Sequence, residues 1–269
     1  MEKITSLQNT RIKGALALVE KVRERRSSGL FVVEGAREAG LAVQGGYALQ
    51  TLFVCRDIWS SSSPLPKAEQ CFEVSPAVFE KLAYRAGSDG LLAVAAQKAL
   101  RLESLQLPQN PLIIVLEAVE KPGNLGAILR TADAAGVSAV VVCDPQCDVF
   151  NPNVVRSSVG CLFTVQVACC TSGEALDFLR KRGVKTLAAA LRSATWYHEA
   201  DMRSPCAIVA GAEADGLTDF WLRAADARIK IPMRGAIDSL NVSVAAAIIT
   251  FEAMRQRGFC SGGSEKTFV

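Results

Sequence analysis

The sequence predicts two α/β domains, the second larger and built on a parallel sheet. Three observations carry this expectation. Short apolar runs alternate with helix-like stretches along most of the chain, as strands covered by helices on both faces require. A polar, proline-containing stretch, KALRLESLQLPQNP, interrupts the alternation and reads as a linker near residue 105. The charge balance differs on its two sides. Residues 1–100 carry 13 Lys+Arg and 10 Asp+Glu, and the totals of 30 and 27 leave 17 of each for the rest. The expected domains are therefore 1–105 and 106–269.

The first domain opens on a helix whose buried stripe is expected at Ile12, Leu16, Val19 and Val22. Its charged positions are strongly basic: Arg11, Lys13, Lys21, Arg23, Arg25 and Arg26 face only Glu20 and Glu24. Such a cluster suits a polyanion, because Lys and Arg contacts to phosphate supply most nonspecific nucleic-acid affinity. A solvated helix face is the competing reading, and charge alone does not decide between them. A strand (LFVVEG), a helix (REAGLAVQGG), a strand (TLFVC), a helix (SPAVFEKLA) and a strand (GLLAVAAQ) follow, with SSSSPLP at 60–66 read as a surface loop.

After Pro111 the alternation restarts with LIIVLEAV as a buried strand and NLGAILRTADAAG as a helix burying Leu125, Ile128, Leu129 and Ala132. SAVVVCD and FTVQVA read as strands, and EALDFLRKRG as a helix ended by glycine. KTLAAAL, AIVAG and ARIKIPM are further strands. NVSVAAAIITFEAMRQRG closes the domain as a helix, with Arg255, Arg257 and Gly258 as its stop signal. The tail CSGGSEKTFV is assigned no role.

Composition excludes several chemistries. A single histidine, His198, rules out a multi-histidine zinc site or a two-histidine relay. Its setting, WYHEADMRSP, reads as a loop. Nine cysteines occur without a C-x-x-C pair, scattered in apolar contexts, and are expected as small buried hydrophobes in a reducing compartment. No metal is expected. The N-terminus lacks the apolar core of a signal peptide and no run reaches the ~18–20 apolar residues of a membrane span, so a cytoplasmic location is expected.

Three segments join strand ends to helix starts, where open α/β sheets hold their ligands. In EKPGNLGAILRTADAAG, Gly123 and Gly126 allow close backbone approach, Asn124 is placed to cap the helix, and Arg130 lies within it. In AIVAGAEADGLTDFW, Glu213 sits between Gly211 and Gly216, and Thr218 or Asp219 is placed to cap the next helix. In IKIPMRGAIDSLNVSVAAA, a proline-bent strand exit leads past Gly235 to Ser239 and Asn241, either of which reads alone as an N-cap. Neither a dinucleotide fingerprint nor a phosphate loop is present.

Taken together and in order, these segments resemble the motifs of the SpoU (TrmH) family of RNA ribose methyltransferases, in the SPOUT superfamily. The match comprises Asn124-x-Gly126-x-x-x-Arg130-Thr131-Ala132, Gly211-x-Glu213-x-x-Gly216-Leu217, and Ile231-Pro232-Met233-x-Gly235 followed by Ser239-Leu240-Asn241-Val242-Ser243. NPNVVRSSVGCLF, at 151–163, is similar to the family's intervening block, with Arg156, Ser158 and Gly160 matching. The first domain, around FVVEGAREAGLA, more loosely resembles the family's ribosomal-protein-like substrate-binding module.

The resemblance implies S-adenosylmethionine-dependent methylation of a ribose 2′-hydroxyl, a deep trefoil knot in the second domain, and a homodimer whose active site draws on both subunits. It implies cofactor contacts at Gly211, Ile231, Met233, Ser239 and Leu240. It places Arg130 in the family's catalytic arginine position, with Asn124, Glu213, Ser239 and Asn241 around it, and leaves Arg11, Lys13, Arg23, Arg25, Arg26 and Arg156 to hold RNA. A guanidinium is an awkward base, since its ordinary pKa lies above ~12. Arg130 is read either as a group made basic by desolvation or as a charged group that positions phosphate and stabilises a developing alkoxide; the second is preferred. Ribosomal RNA is the expected substrate. Transfer RNA, a non-catalytic RNA-binding or ribosome-assembly role, and an ordinary nucleotide- or NAD-binding enzyme are the rivals.

Overall fold

The computed structural model describes residues 1–59, 64–84, 87–191, 193, 195–212 and 215–259. The chain forms two compact units: Met1–Ala99 with Asp148–Thr164, and Leu100–Cys147 with Val165–Val269. Residues 148–164, read from sequence as part of the second domain, thus pack with the first.

The first unit runs β1 (Glu2–Ile4), α1 (Thr10–Glu20), α2 (Val22–Ser28), β2 (Leu30–Glu34), α3 (Ala36–Gln44), β3 (Leu49–Val54), β4 (Gln70–Val74), α4 (Pro76–Leu82) and β5 (Leu91–Ala96). Its mixed sheet has the order β1-β4-β3-β5-β2, and β1 and β4 are strands that the sequence pattern did not announce. Asn9 caps α1 by accepting the Arg11 N–H at 2.9 Å.

The expected single helix breaks at Lys21, whose backbone is extended (φ −115°, ψ 113°). The buried stripe is accordingly Ile12, Ala15 and Leu18, and Val22 is exposed at the start of the redirected α2. The break also turns Arg25 inward, and this corrects its assignment as an RNA contact. Its side chain is 2% exposed, with Nε donating to Asp148 at 2.6 Å and Nη1 to the carbonyls of Leu18 and Val19 at 2.7 and 3.3 Å. A guanidinium so enclosed is held as a buried pair and is not presented to a ligand.

Asp148 belongs to the inserted segment, which carries the short helix Pro152–Ser157. Phe150 and Phe163 from this segment pack on Phe31 and Tyr47, with ring centroids 4.7 Å apart for Phe31–Phe150 and 5.1 Å for Tyr47–Phe163. Burial pushes the Tyr47 hydroxyl up to about 12. Gly160, at φ +85°, lies so close to the Leu41 side chain that a Cβ would overlap it.

The second unit continues with β6 (Leu112–Glu117), α5 (Pro122–Ala134) and β7 (Ala139–Cys143); α6 is the Pro152–Ser157 helix of the first unit. Then come β8 (Val167–Cys170), α7 (Ser172–Lys181), β9 (Lys185–Ala189), β10 (Thr195–Trp196), β11 (Cys206–Ala210), α8 (Asp219–Ala224), β12 (Ala227–Lys230) and α9 (Val242–Gln256). The strands form a seven-stranded sheet in the order β10-β12-β9-β11-β6-β7-β8, with every pair parallel. The parallel sheet follows from the expected pattern, since β6, β7 and β11 are buried along their whole lengths.

Two local readings change. FTVQVA yields its strand only from Val167, because Cys161–Phe163 form a 3-10 turn and Phe163 is used by the first unit. The presumed linker is packed structure: Leu102 and Leu105 are buried in the core of the second unit. None of the eight described cysteines is in a disulfide. Cys143 bonds to Cys170, and this contact together with burial pushes its thiol pKa up, so it stays protonated. Among the described residues no helix is long and apolar enough to cross a membrane.

The Arg25–Asp148 pair generates a stability prediction. Arg25→Ala leaves a carboxylate and two carbonyls without their donor, and should destabilise the first unit by about 3–5 kcal/mol. Arg26→Ala, on the exposed side of the same helix, should cost less than ~0.5 kcal/mol. Urea unfolding of the two variants checks the contrast.

Candidate functional site

The carboxyl ends of β9, β11 and β12 open onto a cleft of about 830 Å³. Apolar residues close its floor: Ala189 at the end of β9 and Ala190 after it, Ala210 at the end of β11, Ile229 in β12, and Ala245 and Ile249 from α9. Two loops form the walls, one through the described residues Gly211, Ala212 and Asp215–Leu217, called below the Gly211–Leu217 wall, and the other from Ile231 to Leu240. Gly211, Ile231, Met233, Ser239 and Leu240, the five positions expected to contact a cofactor, all line this one cleft.

The first wall depends on its glycines. Gly216 adopts φ +69° and donates its N–H to the Ala212 carbonyl at 3.0 Å, folding the loop back on itself. Gly211 then lies directly against the Gly216 carbonyl and the Leu217 nitrogen, and a Cβ at Gly211 would occupy their space. Glu213 lies outside the described residues. In the second wall, Met233 to Leu240 make no backbone–backbone hydrogen bond among the described residues. Their amides and carbonyls are therefore available to a ligand.

The second wall ends on α9. Asn241 caps this helix, its Oδ1 accepting the Ser243 N–H at 2.9 Å and the Ser243 hydroxyl at 2.6 Å. The same side chain also donates from Nδ2 to Oδ1 of Asn124 at 3.1 Å. The cap and the polar contact are both real, and they join the helix carrying Arg130 to the helix that borders the cleft. Asn124 itself is not the cap of α5, because the helix starts one turn earlier at Pro122, with Lys121 at the cap position.

Arg130 is exposed on α5 and has no hydrogen-bond partner among the described residues. It does not line the cleft of its own chain. Six residues beyond Asn124, it lies ~9 Å further along the helix and about 120° around it. Of the basic positions proposed for RNA, Arg11, Lys13, Arg23, Arg26 and Arg156 are exposed, and Arg25 is not. Arg11 also lies 4.6 Å from the Phe72 ring centroid. His198 is an exposed residue of a 3-10 turn beside Tyr197, away from the cleft lining.

Sequence reasoning missed several lining groups. Trp196, in β10 at the edge of the sheet, lines the cleft with the Lys230 ammonium 4.6 Å from its ring centroid. Glu117 and Thr218, 101 residues apart, also meet beside the first wall: Thr218 stands at the N-cap of α8 as expected, but its hydroxyl donates to Glu117 at 2.7 Å and not to the helix. Only the Ala189–Ala190 pair, two small residues ending an apolar strand, carried a local hint of close approach.

The first wall yields a direct test. Gly211→Ala should displace the 211–217 loop, visible as faster amide hydrogen exchange confined to that loop, while core strands such as β6 keep their protection.

Comparison with known proteins finds two family matches along the chain. Residues 111–251 match the SpoU rRNA Methylase family and residues 9–93 match the MRM3-like substrate binding domain. The 23S rRNA (guanosine(2553)-2′-O)-methyltransferase RlmP of Bacillus subtilis is 30% identical over 251 residues, spanning 93% of this chain and 98% of the relative. The tRNA (guanosine(18)-2′-O)-methyltransferase of Thermus thermophilus is 45% identical over 157 residues, 58% of this chain and 80% of that protein. Among solved structures, the AdoMet-bound rRNA methyltransferase of Sinorhizobium meliloti superposes with a TM-score of 0.86 at 27% identity, covering 97% of this chain and 99% of that one. With the family pattern spanning more than half its length and a relative matched nearly end to end, the chain belongs to the SpoU rRNA methylase family.

Proposed function

We propose that this protein transfers the methyl group of S-adenosylmethionine to a ribose 2′-hydroxyl of RNA, and of ribosomal RNA in particular. The observation that carries the reading is the cleft lined together by Gly211, Ile231, Met233, Ser239 and Leu240. Its volume of about 830 Å³ suits a nucleoside-sized ligand. Its unpaired loop backbone suits a ligand with polar edges, so the residues present fit the cofactor. When bound, the cofactor supplies a methyl group already activated on a sulfonium, so no metal is needed.

The chain's own residues position the acceptor. In this reading Arg130 stays charged, holds the phosphate next to the target ribose and stabilises negative charge developing on the 2′-oxygen. Asn124, Asn241 and Ser239 set the polar edge between α5 and the cleft, and Glu213 orients neighbouring groups. The site is completed by a second copy of the chain. Two observations support this: Arg130 is exposed and outside its own cleft, and α9 presents Val244 and Phe251 exposed two turns apart. The Ile231–Leu240 and Gly211–Leu217 walls belong, in this reading, to a deep trefoil knot.

The first unit holds the substrate. Exposed Arg11, Lys13, Arg23, Arg26 and Arg156 provide phosphate contacts. Ribosomal RNA is favoured because the near full-length relative is a 23S rRNA enzyme and residues 9–93 match a substrate-binding domain, whereas the tRNA enzyme matches 58% of the chain.

Two measurements test the assignment. Arg130→Lys keeps the charge but loses the forked geometry, and should lower methyl transfer by about 10²–10³-fold. Calorimetry with S-adenosylhomocysteine should find its affinity within about twofold of the parent. Full transfer activity in that variant contradicts the role, and absence of S-adenosylhomocysteine binding to the parent favours a non-catalytic RNA-binding protein. Replacing Arg11, Lys13, Arg23 and Arg26 by Ala should weaken RNA binding and lower its logarithmic salt slope by ~1 per lost phosphate contact. S-adenosylhomocysteine affinity should not change. Point variants are preferred to removing residues 1–100, which would strip Phe150, Phe163 and Asp148 of their partners.

A further inference from the structure

Below the first wall of the cleft lies a buried polar cluster that the reaction as described does not use. Glu117, at the carboxyl end of β6, is 3% exposed. One carboxylate oxygen accepts the Thr218 N–H at 2.8 Å, and the other accepts the Thr218 hydroxyl at 2.7 Å. The Ser172 hydroxyl lies 3.4 Å from the same Glu117 oxygen, but its proton is directed to the nearer Asp144 at 2.7 Å. Ser172 in turn accepts the indole N–H of buried Trp221 at 3.0 Å, and its own N–H also goes to Asp144, at 3.1 Å. A carboxylate taken out of water requires such donors, and here two of them come from one residue.

The position of that residue is what matters. Thr218 directly follows Leu217, the last residue of the Gly211–Leu217 wall. The upstream end of this wall is fixed by β11, which pairs with β6 along Cys206–Ala210. Glu117 therefore clamps the downstream end to the same strand. It also ends the strand that leads, through Ala118 at φ +52°, into α5 with Asn124 and Arg130. The chain has no covalent short cut between these features: one carboxylate connects them across 101 residues.

We propose that Glu117 is a positioning residue that, through Thr218, holds the Gly211–Leu217 wall in the shape that takes the cofactor. It touches neither cofactor nor RNA. The proposal rests on the reading of the cleft as the S-adenosylmethionine site. Losing the clamp frees the wall and lowers cofactor affinity, while the exposed basic residues of the first unit, and hence RNA affinity, are unaffected.

The test compares Glu117→Gln, Thr218→Ala and Thr218→Ser in the full chain. Gln keeps one acceptor oxygen in place of two, so the Thr218 N–H and hydroxyl can no longer both donate to it, and Ala removes the hydroxyl that Ser retains. S-adenosylhomocysteine affinity by calorimetry, the KM for S-adenosylmethionine, kcat at saturation and RNA affinity are measured in each. The expected result is about tenfold weaker S-adenosylhomocysteine binding and a matching rise in KM for Glu117→Gln and Thr218→Ala. kcat and RNA affinity should stay within about twofold, and Thr218→Ser should recover the parent's values. Unchanged cofactor affinity in Thr218→Ala, or a fall in kcat or RNA affinity as large as that in cofactor affinity, overturns the proposal. The Thr218 pair decides the matter alone if the buried Glu117 substitution does not fold. Failure of the parent itself to bind S-adenosylhomocysteine would instead overturn the reading of the cleft, so the two failures are distinguishable.

Discussion

The missing Cβ at Gly211 is the constraint on which the candidate site depends. A buried strand must end, double back, and bring Gly216 and Leu217 against its own exit, and only hydrogen fits at Gly211 between those backbone atoms. The turn places the loop as a wall facing Ile231–Leu240, with apolar strand ends as the floor. Backbone groups left unpaired in the second wall then become the polar lining. The cleft is thus made of main chain held in unusual paths, which is why few of its side chains carry conspicuous chemistry.

A second constraint acts in the first unit. Its sheet accepts residues 148–164 as an inserted layer, fixed by the Phe31, Tyr47, Phe150 and Phe163 rings and by the Arg25–Asp148 pair. Arg25 shows how charge and role separate. Six basic residues at the start of the chain look equivalent as charges, yet the break at Lys21 sends one inward as a structural group and leaves its neighbours exposed. An excess of Lys and Arg in a segment indicates a polyanion surface only after such buried pairs are removed from it.

Local pattern made much of the fold legible. Strands such as LIIVLEAV and SAVVVCD are apolar throughout because both faces are covered, and that run is readable without neighbours. The short β1, β4 and β10 were not, since strands of two to five residues are held by pairing rather than by their own pattern. The packing of Asp148–Thr164 with the first unit depends on contacts over more than a hundred residues and has no local signature. At the site, glycines at fixed spacing and Ser239-Leu240-Asn241 pointed to the loops that line the cleft. The Asn124–Asn241 bond, the Trp196–Lys230 contact and the Glu117–Thr218 clamp were illegible because each joins residues that only the folded sheet brings together. Asn124 is instructive: read as a cap, it lies inside the first turn, and its side chain meets Asn241 at the start of α9.

The central claim is that the cleft and the basic unit act together to methylate a ribose hydroxyl. The most direct measurement incubates the protein with S-adenosylmethionine labelled in its methyl group and with ribosomal RNA lacking its modifications, then locates the label. The account predicts label on the 2′-oxygen of one nucleotide, where the adjoining phosphodiester resists alkaline cleavage. Label on a base, or no label on RNA under conditions where S-adenosylhomocysteine binds the protein, would contradict it.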